Sequence, residues 1–171
     1  DMPAVVSAKT LSAAQQRCEL GQLGETHEFT VGEHVMVGRV KVETIATPHD
    51  GVDGCGFVVD DGSKRLGILT DLGHVFDGLA DVLATLDAVF IESNYDEAML
   101  QGGPYPEFLK DRIAGRGGHL SNTEAATLLA GAHERSSRLQ WACLGHLSAE
   151  NNTPSCARLT ADDILGHRLP I

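Results

Sequence analysis

The stretch Gly67-Ile68-Leu69-Thr70-Asp71-Leu72-Gly73 joins an apolar run to a carboxylate, and His49 and His146 each follow another run of this kind. Because such runs are typical of buried strands, the three polar side chains are expected to meet at one rim of a sheet. Imidazole and carboxylate together suit a divalent ion such as zinc or manganese. We therefore predict metal ligands at His49, Asp71 and His146. Asp71 is also predicted to be catalytic, as the bridge between two ions that share a water.

Length and composition describe an ordinary domain. The chain has 171 residues, 42% hydrophobic and 5% aromatic, which predicts one domain over residues 1–171 with an aliphatic core. A net charge of -11 disfavours loose attraction to nucleic acid, so any such site must be a local patch. No apolar run approaches the ~20 residues that cross a bilayer, and no signal-peptide pattern is present. The four widely spaced cysteines are typical of reduced thiols. These features predict a cytoplasmic protein without membrane contact.

The order of strands and helices favours an α/β layer arrangement. Alternation and turn residues predict two strands within 35–45 that meet near Gly38, and further strands over 5–7, 56–59, 66–69, 88–91 and 139–144. Helical periodicity and end signals predict helices over 11–17, 75–86, 106–114, 124–134 and 160–165. Thr10 and Thr160 are the expected caps of the first and last of these helices, and Ser121 with Glu124 matches a capping box.

His119 stands just before that capped helix. Its imidazole, with Ser121 and Asn122 at the helix start, is predicted to face an anionic substrate, and His119 is a second catalytic candidate. A loop histidine that hydrogen-bonds the cap explains the spacing equally well. Lys110, Arg112 and Arg116 lie close by and could contact phosphate, although a solvated helix face accounts for them just as well.

Three further polar residues are predicted to hydrogen-bond metal-bound histidines. Glu92 and Asn94 follow the apolar run that ends at Ile91, and Asp50 is the neighbour of His49. A helix cap formed by Ser93 or Asn94 is the alternative for that segment. The remaining histidines show no partner spacing and are interpreted as surface or core residues: His27, His34, His74, His133 and His167.

Six short motifs occur in the order found in one family. From Thr47 to about Leu165 the chain resembles the YycJ-type branch of metallo-β-lactamase-fold hydrolases. The segments that carry the resemblance are Pro48-His49-Asp50, Gly67-Ile68-Leu69-Thr70-Asp71-Leu72-Gly73, Glu92-Ser93-Asn94, Gly103-Pro104-Tyr105-Pro106, Gly118-His119-Leu120-Ser121-Asn122 and His146-Leu147-Ser148-x-Glu150-Asn151-Asn152.

The resemblance implies an αββα sandwich whose two-metal site activates water against a phosphodiester, in a branch regarded as nuclease-related. By position, His49 matches a ligand of one metal, Asp71 the bridging carboxylate and His146 the last histidine of the other metal. His119 matches a histidine beside the site. Two divalent ions, zinc or manganese, are implied for the complete site.

Two departures from the family pattern qualify this reading. The His-x-His-x-Asp-His motif should precede the strand near Ala4 and does not occur in these 171 residues, and Tyr95 stands where histidine is usual. We therefore expect a C-terminal portion of the fold, a partial sandwich, with no or partial metal occupancy and little activity alone. A half-sandwich exposes apolar surface, which predicts either a homodimer or association with the missing N-terminal segment.

The leading functional hypothesis is a metal-dependent hydrolase of phosphodiester bonds in nucleic acid, of exonuclease type. One alternative is a phosphodiesterase or esterase that acts on a small molecule, which the acidic balance mildly supports. The other is a non-catalytic dimerising module that has lost the metal site.

Overall fold

The chain folds around a six-stranded sheet, described by a computed structural model over residues 3–21 and 23–171. Asp1, Met2 and Gln22 lie outside the described residues. The strands in chain order are β1 Ala4–Ser7, β2 Thr26–Phe29, β3 His34–Val37, β4 Val40–Ala46, β5 Cys55–Asp60, β6 Arg65–Leu69, β7 Ala88–Glu92 and β8 Trp141–Gly145. The helices are α1 Ala8–Arg17, α2 Leu79–Ala84, α3 Glu97–Gly102, α4 Glu107–Ile113, α5 Asn122–Arg135 and α6 Pro154–Leu165.

The direction of the strands decides where their polar ends lie. The large sheet has the order β3-β4-β5-β6-β7-β8, antiparallel from β3 to β6 and parallel from β6 to β8. Two antiparallel steps separate β4 from β6, so these strands run in the same direction. The carboxyl ends of β4, β6, β7 and β8 therefore share one edge, which we call the site edge. β1 and β2 form a separate parallel pair.

One face of the large sheet carries the core. Val58, Val89 and Ala142 occupy one row of the strand register, and all three are buried. They pack with buried leucines and alanines of α2, α5 and α6. Gly67 fills the remaining place in this row, where a Cβ would lie 2.6 Å from Leu86 Cδ1. The aliphatic core expected from the composition is thus sealed by helices on this face.

The opposite face, which we call the outer face, is apolar and only partly covered. Because side chains alternate along a strand, Phe57, Ile68, Phe90 and Cys143 project together from adjacent strands. Ile68 is 39% exposed, and Trp141, two residues before Cys143, is 47% exposed. The β1–β2 pair reaches one end of this face. There the ring of Phe29 in β2 meets the Phe57 ring edge-on, with centroids 6.5 Å apart.

The α/β prediction is confirmed, and helix α5 begins at the predicted capping box of Ser121 and Glu124. The helix predicted over 75–86 is wrong at its start, because Gly78 adopts a left-handed φ of 86° and α2 begins only at Leu79. The first helix begins at Ala8 rather than residue 11.

Both threonine caps were predicted at the wrong place. Ser7, not Thr10, caps α1 by accepting a hydrogen bond from the Thr10 backbone N–H. Thr153, not Thr160, caps α6, and Pro154 is tolerated at the first position because a backbone N–H, which proline lacks, would have no partner within the helix there. Two short elements, β2 and α3, have no counterpart among the predicted strands and helices. Within the described part of the chain, no helix has the length and apolarity needed to span a bilayer.

Candidate metal centre

Four polar residues gather where strands reach the site edge. Asp71 lies two residues beyond β6, Glu92 is the last residue of β7, and His146 directly follows β8. His49 lies on the loop after β4. Carboxyl ends of neighbouring parallel strands form the usual crevice for a functional site in an α/β sheet. The local sequence of each strand thus delivers its polar residue to a common point.

The Asp71 carboxylate is at the middle of this group. Its Oδ1 lies 3.3 Å from His146 Nε2, 3.5 Å from His49 Nε2 and 3.8 Å from His119 Nδ1. The His119 ring stands between the other two imidazoles, with centroid distances of 4.9 Å to His49 and 5.2 Å to His146. The structure therefore brings together the three residues predicted as ligands and adds His119 to them.

The donor atoms are close enough to share an ion. One donor atom from each of Asp71, Glu92, His119 and His146 lies within 4.8 Å of the other three. Two carboxylates facing two imidazoles form an O/N donor set that suits a divalent transition metal. The Asp71 side chain is 42% exposed and that of His146 is 36% exposed, so the group is open to a substrate. The residues present fit a metal ion.

Backbone conformation marks the same positions. Asp71 has a φ of 52° and His146 a φ of 54°. Both values lie in the left-handed region, which residues other than glycine rarely adopt. Strain of this kind persists where the surrounding structure imposes it, and it concentrates at functional sites. Each residue turns the chain sharply at the end of a strand, which directs its side chain over the site edge.

His49 is fixed with one nitrogen free. Its Nδ1–H donates to the carbonyl oxygen of Gly118 at 2.8 Å, so in the neutral imidazole Nε2 carries no proton, and this nitrogen faces Asp71. A ligating histidine is commonly oriented by such a bond from its other ring nitrogen. Although His49 was predicted as a ligand, its Nε2 lies outside the four-residue donor group, so this role remains a prediction.

Glu92 is a fully buried carboxylate with defined partners. Its Oε1 accepts from His119 Nδ1 at 2.6 Å, and its Oε2 accepts from the backbone N–H groups of Leu72 at 2.9 Å and Leu120 at 3.4 Å. These bonds orient the His119 ring and tie the loops after β6 and before α5 to the end of β7. Because Nδ1 donates to Glu92, His119 presents an unprotonated Nε2 to its surroundings in the neutral form.

Asp50 lies beside the cluster but bonds elsewhere. Its carboxylate accepts two hydrogen bonds from Arg112, at 2.7 Å and 2.9 Å, and the guanidinium holds the pKa of Asp50 below its ordinary value. The second oxygen is 3.6 Å from His49 Nε2. The predicted contact with His49 is therefore loose, and the main partner of Asp50 is an arginine of α4.

The helix-start residues are buried rather than open to substrate. Ser121 Oγ accepts from the Glu124 N–H, and Asn122 bonds Ser93 and Asn152 inside the protein. Ser121 is 2% exposed and Asn122 is 1% exposed. Their side chains hold the His119 loop in place, and in this arrangement neither offers a free polar atom to a substrate.

Two residues after β7 complete the surroundings. Asn94 Nδ2 donates to the carbonyl oxygen of His146 at 2.7 Å, so it holds the backbone of a predicted ligand rather than its ring. Tyr95, which stands where the family pattern has histidine, is 6% exposed, and burial raises its pKa to about 12. A neutral, buried phenol takes the place of the histidine of the family pattern here.

Every member of the donor group is a predicted site residue, but Glu92 and His119 are predicted in roles other than metal ligand. The signal in the sequence was the position of Glu92 at the end of an apolar run; the structure adds its pairing with Gly145, one residue before His146. A carboxylate at that position must lie next to the predicted ligand. His74 and Arg116, whose side chains bond each other, were not linked by any spacing in the sequence.

Two curated relatives align with nearly the whole chain. The chain is 30% identical over 165 residues to exodeoxyribonuclease YycJ of Bacillus anthracis, covering 96% of this chain and 62% of the relative. It is 33% identical over 163 residues to exodeoxyribonuclease WalJ of Streptococcus pneumoniae serotype 2, strain D39, covering 93% and 59%. The chain thus spans about three fifths of the length of the curated relatives it matches. No protein-family model matches it.

Solved structures agree on the fold. The metallo-β-lactamase fold protein YhfI from Bacillus subtilis superposes with a TM-score of 0.69 at 15% identity, covering 96% of this chain and 59% of that chain. Zn(2+)-bound PqqB from Methylobacterium extorquens superposes with a TM-score of 0.64 at 15% identity, covering 95% and 57%. The chain is therefore similar in sequence to two exodeoxyribonucleases of the YycJ and WalJ type, and it has the metallo-β-lactamase fold.

Proposed function

We propose that this chain carries part of the active site of a metal-dependent hydrolase that cleaves phosphodiester bonds in DNA. The observation that carries the proposal is the convergence of histidine nitrogens around Asp71 Oδ1 at the site edge. The names of the two relatives, both exodeoxyribonucleases, support DNA rather than a small phosphodiester or a non-catalytic role.

Asp71, His49 and His146 are the proposed metal ligands, with Asp71 between two ions. Glu92 is a further candidate ligand, because its Oε1 lies 3.8 Å from His146 Nε2. Zinc and manganese both suit this donor set, and zinc is the ion named for PqqB. When bound, such ions lower the pKa of a water and neutralise charge on phosphate oxygens.

His119 is proposed to contact the substrate. Its ring is 18% exposed, and the buried Glu92 carboxylate anchors its Nδ1–H. This leaves Nε2 as the nitrogen that can accept a proton from an attacking water when the ring is neutral, or donate one to the leaving oxygen when the ring is protonated. Ser121 and Asn122 are proposed to act only by positioning the His119 loop, because their side chains are buried.

The outer face is proposed to be an interface within the complete protein. Apolar surface is exposed there by Ile68, near the site edge, and by Trp141, at the opposite end of the strands, and the relatives are longer than the matched region. We propose that polypeptide from beyond this region covers the face and supplies further ligands, and a homodimer is the competing occupant. The cytoplasmic location and the single domain over residues 1–171 stay predictions.

The test uses the complete gene product, supplied with zinc or manganese, on single-stranded DNA, double-stranded DNA and a small phosphodiester. We expect hydrolysis of DNA, at least a hundredfold loss in Asp71→Asn, and no loss in Asp77→Asn, an exposed aspartate of the following loop. Hydrolysis of the small diester alone, or full activity in Asp71→Asn, would contradict the proposal.

Calorimetric titration of the 171-residue chain with the same ions tests the partial site. We expect weak binding, because three or four protein ligands shared by two ions leave each coordination shell mostly to water. Tight binding of two ions per chain would show that the site is complete without other residues.

A further inference from the structure

Two loops run side by side next to the metal centre. Gly73 and Gly118 form an antiparallel bridge, so the segment after Asp71 lies against the segment before His119. The approach is close: a Cβ on Gly73 would lie 2.7 Å from the Arg116 carbonyl oxygen and 2.9 Å from the Pro48 carbonyl carbon. Gly73 also has a φ of 71°. Any side chain here would separate the two loops.

His74 and Arg116 bond each other twice across these loops. His74 Nδ1 lies 2.7 Å from the Arg116 carbonyl oxygen, and an Nη2 of Arg116 lies 3.1 Å from His74 Nε2. A carbonyl can only accept and a guanidinium can only donate, so His74 carries its proton on Nδ1 and accepts at Nε2. One neutral imidazole therefore fixes both the backbone and the side chain of Arg116.

The charge of Arg116 is not used inside the protein. Among the lysines and arginines whose surroundings the structure describes, Arg17, Arg39 and Arg116 form no ion pair with a carboxylate. The two other basic residues near His119 already have partners within the protein. Lys110 is 7% exposed and bonds Glu107 and a backbone carbonyl, and Arg112 pairs with Asp50. Of the three basic residues near His119, only Arg116 keeps an exposed, uncompensated charge.

The charge of Arg116 lies close to the proposed place of reaction. Arg116 is three residues from His119, so their Cα atoms are at most about 10 Å apart. His74 is likewise three residues from Asp71. In a chain of net charge -11, a free guanidinium held this near the metal centre has an anion as its natural partner. A polynucleotide bound at the centre carries further phosphates on either side of the reacting one.

We propose that Arg116, positioned by His74, binds a phosphate of the DNA strand next to the phosphate at the metal centre, and thereby favours a polynucleotide over a small phosphodiester. The inference rests on the proposed function, because it takes the Asp71 cluster as the place of cleavage. A purely structural Arg116 would only support the His74 loop.

The experiment measures binding of a short single-stranded DNA, with phosphorothioate linkages that resist hydrolysis, by fluorescence anisotropy over a range of salt concentrations. The complete protein is compared with Arg116→Gln and with Arg39→Gln. Arg39 has the same charge and is also unpaired, but it lies in the β3–β4 turn at the edge of the sheet opposite the site edge. It therefore controls for the change in net charge.

We expect Arg116→Gln to weaken DNA binding about tenfold and to reduce the slope of log affinity against log salt by about 0.7, the contribution of one phosphate contact on a single strand. Arg39→Gln should change neither. In kinetics, Arg116→Gln should raise KM for DNA about tenfold, with little change in kcat and none in hydrolysis of a small phosphodiester. His74→Gln should raise the same KM by a smaller factor, because it frees the guanidinium without removing it.

An unchanged salt slope in Arg116→Gln, or an equal loss on DNA and on the small diester, would overturn the inference. So would a wild-type protein that does not bind DNA. If the wild-type protein binds DNA but hydrolyses neither substrate, the proposed hydrolase function fails, and the salt slope still decides the role of Arg116.

Discussion

At the scale of single residues, Glu92 links the fold to the site. It is a fully buried carboxylate at the end of a central strand, and all its bonds run to the loops that carry His119 and Asp71. A buried charge of this kind is tolerated because backbone N–H groups and an imidazole surround it. The same bonds decide which nitrogen of His119 faces outward.

Glu92→Gln tests this orientation while keeping the size of the side chain. If the amide oxygen keeps the Leu72 and Leu120 N–H bonds, the amide N–H₂ meets His119 Nδ1 and reverses its tautomer. We expect metal affinity to fall about 10- to 100-fold, because the amide also replaces a carboxylate that is itself a candidate ligand beside His146, measured by calorimetry on the folded chain. Glu134→Gln is the control, because that exposed glutamate forms only a surface ion pair. Unchanged metal affinity in Glu92→Gln would refute the role.

Asp87 gives a prediction on pH and stability. Its carboxylate accepts from the Arg65 N–H and from the side chains of Lys64 and Arg138, and these bonds hold its pKa well below the ordinary value. A lowered folded-state pKa stabilises the fold above the unfolded-state pKa, about 3.9, and this stabilisation is lost as the pH falls toward the folded-state value.

Asp87→Asn should therefore lower the denaturant midpoint at pH 7, and the difference from the wild type should shrink as the pH falls below about 4. Urea denaturation at several pH values measures it. Asp77→Asn, at an exposed loop position, should show no such trend. A difference that is independent of pH would mean that the charge of Asp87 is not what stabilises the fold.

At the scale of elements, two glycines show opposite constraints. Gly145 ends β8, and a Cβ there would lie 2.0 Å from Phe90 Cζ, so the ring occupies the space a side chain would need. Gly131 lies inside α5, and a Cβ there would meet no atom within 4 Å apart from its own helix. The first glycine is required by packing, whereas the second only weakens a helix.

We expect Gly145→Ala to destabilise the fold by about 1–3 kcal/mol through overpacking, and Gly131→Ala to stabilise it by about 0.5–1 kcal/mol through helix propensity. Thermal denaturation of both variants against the wild type gives the comparison. The two changes add the same methyl group. A change of the melting temperature with the same sign in both variants would therefore contradict this account of the two sites.

At the scale of the whole molecule, the outer face and the metal centre adjoin, so one covering segment would contact both. In the part of the chain that the structure describes, helices seal one side of the sheet, and Phe57, Ile68 and Phe90 form an apolar strip on the other. The site edge borders this strip. Polypeptide that covers the outer face would also reach the metal centre and could complete its ligands.

Trp141 is the only tryptophan and reports directly on this face, because it is 47% exposed. We expect acrylamide to quench its fluorescence strongly in the 171-residue chain at every protein concentration, and less in the complete gene product. Quenching that falls as the concentration of the 171-residue chain rises would favour the homodimer instead. Equal, strong quenching in both forms would contradict a covered outer face.

The sequence by itself determined the features that depend on neighbours along the chain. Apolar runs predicted the central strands and the polar residues that end them, and Ser121 with Glu124 predicted the start of α5. Where local signals were ambiguous, as at Thr10 and Thr160, the wrong caps were chosen, because a threonine near a helix end looks the same whether or not its backbone is extended.

Only the tertiary structure decided which side chains meet. Glu92 and His119 are 27 residues apart, and His74 and Arg116 are 42 residues apart, so their contacts depend on how loops from different strands cross at the site edge. Loop geometry follows from packing and from left-handed turns at Asp71 and Gly73, which the sequence pattern does not display. Strand periodicity is a local property and can be read from sequence, whereas the roles of Glu92, His119 and Arg116 arise from long-range contacts.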